Sequence, residues 1–170
     1  MDLASMVRDI PDFPVKGILF KDITTLLVNP QAFRQAVDTL RERYQDREID
    51  VVVAIESRGF IFGAPLAYQL QAGFVPVRKP CKLPAETICQ EYELEYGKNT
   101  LEIHKDSIKP GQRVLVVDDL LATGGSAKAT IELVERLGGQ VVGAAFLIEL
   151  TFLNGIQKLN GYDVYTVIKY

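Results

Sequence analysis

The apolar positions of this chain follow two spacings, which predict that strands and helices alternate along it. Largely apolar runs at 49–55, where Asp50 is the one charged residue, at 114–117 and at 141–147 are typical of strands buried on both faces of a parallel sheet. Between 33 and 44, apolar residues recur at helical spacing with charged residues between them, which predicts an amphipathic helix. This order predicts an α/β fold with a mostly parallel central sheet, helices on both faces and a ligand site at the carboxyl ends of the strands.

Weaker patterns complete the predicted order of elements. We expect a short helix at 2–9, a helix at 61–72, a strand at 74–77, a short helix at 153–159 and a last strand at 162–167. The sequence has no repeat, low-complexity segment or linker. Residues 1–170 are therefore predicted to form a single domain.

Residues 86–104 differ from the rest because apolar and acidic side chains alternate there. Ile88, Tyr92 and Leu94 share one face, acidic residues occupy the other, and Gly97 allows a turn. This pattern predicts a flexible, half-exposed hairpin of two strands. It is consistent with a lid over a site and with an edge hairpin buried in a dimer interface, and both can hold at once.

The composition excludes several classes of function. Hydrophobic residues at 48% and charged residues at 24% are ordinary for a globular domain, and the net charge of −3 argues against a nucleic-acid surface. Two cysteines, Cys81 and Cys89, and a single histidine provide neither a zinc site nor a disulfide framework. No secretory signal or membrane-length apolar run is present, so we expect a soluble cytoplasmic protein with reduced thiols and no membrane partner.

The clearest chemical signal follows the apolar run at 114–117. Asp118 and Asp119 stop this run and are expected at the carboxyl end of the strand, and a glycine-rich turn, Ala122–Ser126, leads into a helix that begins near Gly125. The paired glycines let several backbone N–H groups point the same way, and the helix N-terminus adds positive partial charge. Such a turn binds phosphate, whereas paired carboxylates prefer hydroxyl groups or a metal. A sugar phosphate fits both.

Taken singly, these features have plainer interpretations, because an acid pair is also typical of a helix cap and Gly124-Gly125 of a tight turn. The chain has no Gly-x-x-x-x-Gly-Lys-Ser/Thr loop and no Gly-x-Gly-x-x-Gly motif. The hydroxyl groups of Thr123 and Ser126 supply further donors to an anion. A second loop, residues 56–59, is expected at the same edge of the sheet, where Arg58 would bring positive charge for a second phosphoryl group.

In combination, the acid pair and the glycine turn form the phosphoribosyl-diphosphate motif of the type I phosphoribosyltransferase family, which the chain resembles over nearly its full length. Further strings resemble the adenine-specific members of that family: Phe13-Pro14, Gly17–Ile23, Glu56–Gly63, Val77–Pro84 and Leu94–Lys98. The resemblance implies a short N-terminal hood at 1–30 and a hairpin lid. It also implies a purine-salvage reaction, in which ribose 5-phosphate passes from 5-phosphoribosyl 1-diphosphate (PRPP) to N9 of adenine, giving AMP and diphosphate.

The resemblance further implies roles for the site residues. The turn from Ala122 to Ser126 binds the 5′-phosphate, and Asp118 and Asp119 bind the ribose hydroxyl groups and stabilise a positively charged transition state. Glu95 handles the purine proton when the lid closes, and Tyr96 makes a closing contact. The residues expected at the diphosphate are Ser57, Arg58, which we also count as catalytic, Lys79 and Lys82. Those expected at the adenine ring are Leu19, Phe20 and Lys21.

Mg²⁺ is implied as a cofactor, held mainly by the substrate and water rather than by direct protein ligands. A homodimer is implied as well, in which Arg78 reaches across to the other active site. The chain departs from the family pattern at three positions, since relatives often carry arginine where Lys21 stands, aspartate or alanine where Glu56 stands, and commonly glycine where Cys81 stands.

Two other functions are compatible with the phosphoribosyl motif alone. One is an enzyme of the same fold that acts on a 6-oxo purine, xanthine or orotate; the hood and the string at 94–97 argue against it. The other is a non-catalytic regulator that senses PRPP and binds nucleic acid through an added domain or a basic face. The acidic net charge of this chain argues against it.

Overall fold

The computed structural model of the chain describes residues 1–94 and 97–170. Its strands, in chain order, are β1 (Arg8–Pro11), β2 (Leu19–Asp22), β3 (Val51–Ile55), β4 (Gly73–Val77), β5 (Thr87–Glu93), β6 (Lys98–His104), β7 (Arg113–Leu121), β8 (Gln140–Glu149) and β9 (Val164–Lys169). Its α-helices are α1 (Thr24–Val28), α2 (Pro30–Tyr44), α3 (Gly59–Leu70) and α4 (Gly125–Arg136). The region predicted as a short helix at 153–159 contains 3₁₀ turns at Thr151–Leu153 and Gly155–Leu159.

The central sheet has the strand order β4-β3-β7-β8-β9, and every neighbouring pair of strands is parallel. Alternate side chains enter two cores. On β3, Val52 and Ala54 pack with α1, α2 and α3, whereas Val51, Val53 and Ile55 pack with α4 and β6. The predicted parallel α/β sheet with helices on both faces is confirmed, and its topology directs all five carboxyl ends to one edge.

The amphipathic helix predicted between 33 and 44 is α2, which begins at Pro30. The side chain of Asn29 accepts hydrogen bonds from the backbone N–H groups of Gln31 and Ala32, so it caps the first turn. Tyr44 at the other end is fully buried. Helix α2 thereby covers the face of the sheet opposite α4.

The predicted helix at 2–9 is wrong in its extent. Only Ala4–Met6 forms a 3₁₀ turn, and Arg8–Pro11 is an extended strand. Strand β1 pairs antiparallel with β2, so β2 satisfies backbone groups that a longer helix would have bonded internally. The two-stranded hairpin predicted at 86–104 is confirmed, because β5 and β6 pair antiparallel, with Thr87 opposite His104.

The prediction that the acid pair ends its strand is also wrong. Strand β7 continues through Leu121, where it still pairs with Glu149 of β8. Pairing with β3 on the other side stops at Val117. Asp118 and Asp119 therefore lie in the strand but beyond its neighbour, which opens space beside them for a ligand. Among the residues that the structure describes, no helix is both long and apolar enough to cross a membrane.

Candidate active site

The acid pair and the glycine turn line one pocket of about 440 Å³. It opens where β3 and β7 end, beside the N-terminus of α4. Residues predicted for the site from four separated segments meet in its lining: Ser57, Arg58, Lys79, Asp118, Asp119, Ala122, Thr123, Gly124 and Ser126. The sheet topology thus brings together residues that are far apart in the sequence.

Each glycine of the turn makes room for a particular neighbour. Gly124 precedes α4 with φ +79°, a left-handed conformation that favours glycine, and a Cβ there would overlap the carbonyl oxygen of Gly155. A Cβ on Gly125 would lie 3.0 Å from Cδ2 of Tyr92 in the hairpin. The turn is therefore packed from both sides, and the N-terminus of α4 faces the pocket with the positive end of its dipole.

Gly155 is a residue that the sequence analysis missed. A Cβ added to it would overlap the carbonyl oxygen of Ala122 and lie 2.9 Å from the backbone nitrogen of Gly124. Its backbone therefore packs directly behind the glycine turn. The available signal was the dipeptide Asn154-Gly155, which is typical of a turn but lay inside a segment that we predicted to be helical.

The acid pair is almost completely buried, since Asp118 is 8% exposed and Asp119 is 6% exposed. Burial raises the pKa of Asp118 well above its ordinary value of 3.8, and the neighbouring charge of Asp119 raises it further. Nε of Arg58 lies 2.6 Å from Oδ2 of Asp119, so these two form an ion pair. The two carboxyl groups and the guanidinium group therefore stand side by side in the pocket.

Glu56, a third carboxylate in the pocket, was not predicted as a site residue. It accepts hydrogen bonds from the Arg78 guanidinium and from the backbone N–H of Lys79, both at 2.9 Å. The bond from Arg78 is the main cause that holds the pKa of Glu56 below its usual range. Arg78 also donates to the carbonyl of Lys82 at 3.2 Å. Arg78 is thus held within its own chain, and its predicted reach across a dimer stays a prediction.

The loop after β4 carries the predicted lysines on its surface. Lys79 lines the pocket, whereas Lys82 is exposed outside the lining that the described residues form. Between them, Cys81 is exposed and has φ +63°. This left-handed conformation favours glycine, which agrees with the glycine that the family resemblance implies at this position.

A second, mostly apolar pocket of about 520 Å³ adjoins the first. Its lining comes from the hood and from one residue of the β3 loop: Ile10, Phe13, Phe20, Asp22, Ile23, Thr24 and Arg58. The rings of Phe13 and Phe20 meet edge to face with centroids 5.1 Å apart, and the Arg58 guanidinium lies 5.6 Å from the Phe20 centroid. Arg58 therefore belongs to both pockets.

The other two predicted ring-binding residues point elsewhere. Leu19 is 49% exposed, and the ammonium group of Lys21 lies 2.6 Å from Oδ1 of Asp9. Strand alternation explains this, because Phe20 and Asp22 share the pocket face of β2. Asp22 was missed as a lining residue; hydrogen bonds, chiefly from Arg8, lower its pKa to about 2, so an ionised carboxylate paired with Arg8 stands at this rim of the apolar pocket.

The hairpin closes one side of the first pocket through Tyr92 and Leu94, neither of which was predicted as a site residue. Arg136 of α4 donates to the carbonyl of Cys89 at 2.6 Å and so fastens the hairpin to the helix. The predicted catalytic Glu95 and the predicted closing residue Tyr96 lie outside the described residues. Their roles stay predictions.

Within the described ranges, no group of three or more His, Cys, Asp or Glu side chains is arranged to hold a metal ion. At the pocket, Asp118 and Asp119 are the oxygen donors of the type that Mg²⁺ prefers. Two carboxylates beside an anion-binding turn fit a cation that arrives with its own phosphate ligands.

Comparisons with known proteins agree with this geometry. A family model described as phosphoribosyl transferase domain matches residues 22–166. The chain belongs to the phosphoribosyltransferase family. Within that family, its sequence is 62% identical over 169 residues to adenine phosphoribosyltransferase of Chloroflexus aurantiacus, with 99% of this chain and 98% of the relative covered.

Solved structures of adenine phosphoribosyltransferases have the same fold. The enzyme of Thermoanaerobacter pseudethanolicus superposes with a TM-score of 0.97 at 57% identity, covering 99% of this chain and 98% of that one. The enzyme of Saccharomyces cerevisiae, solved in complex with an imino-altritol bisphosphate and adenine, has a TM-score of 0.92 at 45% identity, covering 98% and 96%. The adenine-specific resemblance found in the sequence is confirmed.

Proposed function

We propose that this protein transfers ribose 5-phosphate from PRPP to N9 of adenine, forming AMP and releasing diphosphate. The observation that carries the proposal is the pair of adjoining pockets that share Arg58. One combines an acid pair with an anion-binding turn, and the other presents aromatic and aliphatic side chains. A phosphorylated sugar and a flat base bound in these two pockets would meet at Arg58.

In this proposal the glycine turn binds the 5′-phosphate. The backbone N–H groups from Ala122 to Gly125 and the hydroxyl groups of Thr123 and Ser126 donate to its oxygen atoms. Asp118 and Asp119 accept hydrogen bonds from the ribose 2′- and 3′-hydroxyl groups. Positive charge that develops on the sugar in the transition state is then stabilised by carboxylates that are already in place.

The diphosphate is proposed to bind on the other side of the sugar, near Ser57, Arg58, Lys79 and Lys82. An anion there would compete with Asp119 for Arg58, because the two are paired at 2.6 Å. We propose Mg²⁺ as the cofactor, with Asp118 and Asp119 close to it and most of its ligands supplied by substrate and water. When bound, the ion supplies positive charge that offsets the charge of the leaving diphosphate.

Adenine is proposed to enter the apolar pocket, stacked on Phe20. The yeast relative, whose complex contains adenine, supports this base. Backbone groups of the hood at Leu19–Lys21 would read the 6-amino edge, because a 6-oxo purine presents an acceptor where adenine presents a donor. We keep Glu95 as the proposed proton handler and Tyr96 as the proposed closing contact.

We also propose a homodimer in the cytoplasm. Val28 and Tyr68 leave 82% and 86% of their surface exposed, an unusual amount for large apolar side chains, and two exposed thiols suit a reducing compartment. Two variants expected to be inactive, Arg78→Ala and Asp119→Asn, are unfolded, mixed and refolded together so that mixed dimers form. Activity of the mixture tests whether Arg78 acts across the dimer. Recovery toward about a quarter of wild-type activity is expected from mixed dimers, and no recovery would contradict it.

The reaction is tested with purified protein, PRPP and Mg²⁺, offering adenine, hypoxanthine, guanine and orotate separately. We expect AMP and diphosphate only with adenine, and loss of both products in the Asp118→Asn/Asp119→Asn variant. Turnover of another base would overturn the choice of adenine. Binding of PRPP without turnover of any base would overturn the enzymatic function in favour of a sensor.

A further inference from the structure

The strand that carries Phe20 is held from its opposite face by a contact that involves no pocket residue. Phe20 and Asp22 line the apolar pocket, so Lys21 between them points away from it. The Lys21 ammonium group lies 3.7 Å from the centroid of the Tyr170 ring. Only 10% of the Lys21 side chain is exposed. A cation buried against an aromatic face in this way is held firmly.

Tyr170 is in turn fixed to the central sheet. Its backbone N–H donates to the carbonyl of Glu149 at 3.0 Å, and its carbonyl accepts from the backbone N–H of Thr151 at 2.8 Å and from the hydroxyl group of that residue at 2.6 Å. Its phenol group donates to the carbonyl of Ala4 at 2.9 Å. Tyr170 therefore connects the rigid end of β8 to the hood.

Asp9 completes the arrangement from the other side of Lys21. It is the residue directly opposite Lys21 in the pairing of β1 with β2, and its carboxylate is 2.6 Å from the ammonium group. The cation therefore lies between a carboxylate and a ring, with little water around it. Losing either partner would leave the position of β2 less well defined on its outer face.

We propose that Lys21 and Tyr170 are positioning residues for the base: their contact holds β2 so that Phe20 and Asp22 form the apolar pocket. This inference rests on the proposed function, because it assigns that pocket to adenine. Neither residue is among the described residues that line either pocket. The contact should therefore affect the binding of the base and leave the binding of PRPP unchanged.

The test compares Lys21→Met and Tyr170→Leu with the wild type. Lys21→Met keeps the apolar stem and removes the charge, and Tyr170→Leu removes the ring. We expect KM for adenine to rise by about tenfold in each, with KM for PRPP and kcat within about twofold of the wild type. Lys21→Arg and Tyr170→Phe, which keep a cation and a ring, should restore KM for adenine to within about threefold.

Two further variants make the result specific. In the double variant Lys21→Met/Tyr170→Leu, KM for adenine should rise by less than the product of the two single effects, because the cation–ring contact is common to both. Lys128→Met is the matched control: Lys128 lies 5.5 Å from the Tyr162 ring and 3.7 Å from Glu132, on the outer side of α4. It removes a similar lysine–ring contact and should leave both KM values unchanged.

Equal rises in both KM values, or an unchanged KM for adenine in folded and active variants, would overturn the inference. Thermal unfolding of each variant separates these outcomes from a general loss of structure. If Tyr170→Leu does not fold, Lys21→Met decides the question alone, since it leaves the ring and its hydrogen bonds in place. Failure of the proposed function would appear earlier and differently, as a wild-type protein that forms no AMP from any base.

Discussion

Arg58 and Asp119 form an ion pair, with Nε and Oδ2 2.6 Å apart, at the point where the two pockets meet. The same guanidinium group lies 5.6 Å from the ring centroid of Phe20. One side chain therefore contacts the acid pair and the apolar pocket together. An anionic ligand that draws Arg58 away from Asp119 would also change the wall of the apolar pocket.

Replacing Arg58 should consequently affect both substrates. For Arg58→Gln we expect kcat/KM to fall by roughly 10²–10³-fold, because the leaving diphosphate loses a charged donor. KM should rise for adenine as well as for PRPP, since Arg58 lines both pockets. Steady-state kinetics with each substrate varied in turn measures this. Arg34→Gln, an exposed position on α2, is the control, and a rise confined to PRPP would contradict the shared role.

Asp118→Asn should make the protein more stable and less active. Burial and the charge of Asp119 raise the pKa of Asp118, so its ionised form costs free energy in the folded state. We expect the free energy of unfolding at neutral pH to increase by on the order of 1 kcal/mol, with loss of AMP formation. Asp163→Asn is a control with the opposite expected sign. The Asp163 carboxylate accepts a hydrogen bond from the Arg43 guanidinium at 2.8 Å, so losing its charge should lower the free energy of unfolding.

The stability difference in that experiment should depend on pH in a defined direction. The folded protein retains the Asp118 proton to higher pH than the unfolded chain, so the contribution of Asp118 to wild-type stability falls as pH rises above the ordinary value of 3.8 toward the raised pKa. The advantage of Asp118→Asn should therefore be smallest below that value and grow with pH until Asp118 is ionised in both states. Urea unfolding across this range measures it, and a pH-independent difference would contradict it.

Gly155→Ala should weaken PRPP binding without touching the ligand. The new Cβ would overlap the Ala122 carbonyl, so the glycine turn and the segment around Gly155 must move apart to relieve that overlap. We expect KM for PRPP to rise by roughly tenfold or more, because small misplacements of binding groups are costly. Gly73→Ala is a matched control, since its Cβ would be 3.6 Å from the nearest atom, the Asp50 carbonyl oxygen. Equal kinetics in the two variants would count against this packing.

Tyr92 should support the hairpin through its ring rather than its hydroxyl group. The ring lies over Gly125 at the start of α4 and lines the first pocket. We expect Tyr92→Ala to lower kcat/KM by about tenfold through a less closed hairpin, and Tyr92→Phe to stay within about twofold of wild type. Equal losses in both variants would instead indicate that the hydroxyl group is needed.

Local patterns predicted most of the central sheet. The apolar runs that became β3, β7 and β8 allow few other structures, because a strand buried on both faces must be apolar throughout. The turn at Gly124-Gly125 was also predicted from the sequence, since the left-handed backbone conformation of Gly124 favours glycine. The N-terminal helix was predicted wrongly because β1 is stabilised by pairing with β2, a partner that no local pattern reveals.

Site residues that lie next to a motif were found, and those that act through packing were missed. Arg58 comes shortly after the buried strand β3, and Asp118 and Asp119 directly follow the apolar run of β7, so the end of each apolar run indicates them. Gly155 contributes only its lack of a side chain, and Tyr92 belongs to an alternating pattern shared with its neighbours. No property of either residue alone distinguishes it.

The sequence by itself therefore determined the parallel α/β fold, the glycine-rich turn and the family. Apolar periodicity, glycine conformation and a long motif are all local properties of the chain. Only the tertiary structure decided that Arg58 lines two pockets, that Lys21 faces Tyr170 instead of the apolar pocket, and that Gly155 packs behind the glycine turn. These relations join segments far apart in the chain, and their energies come from packing and burial that exist only once the sheet has formed.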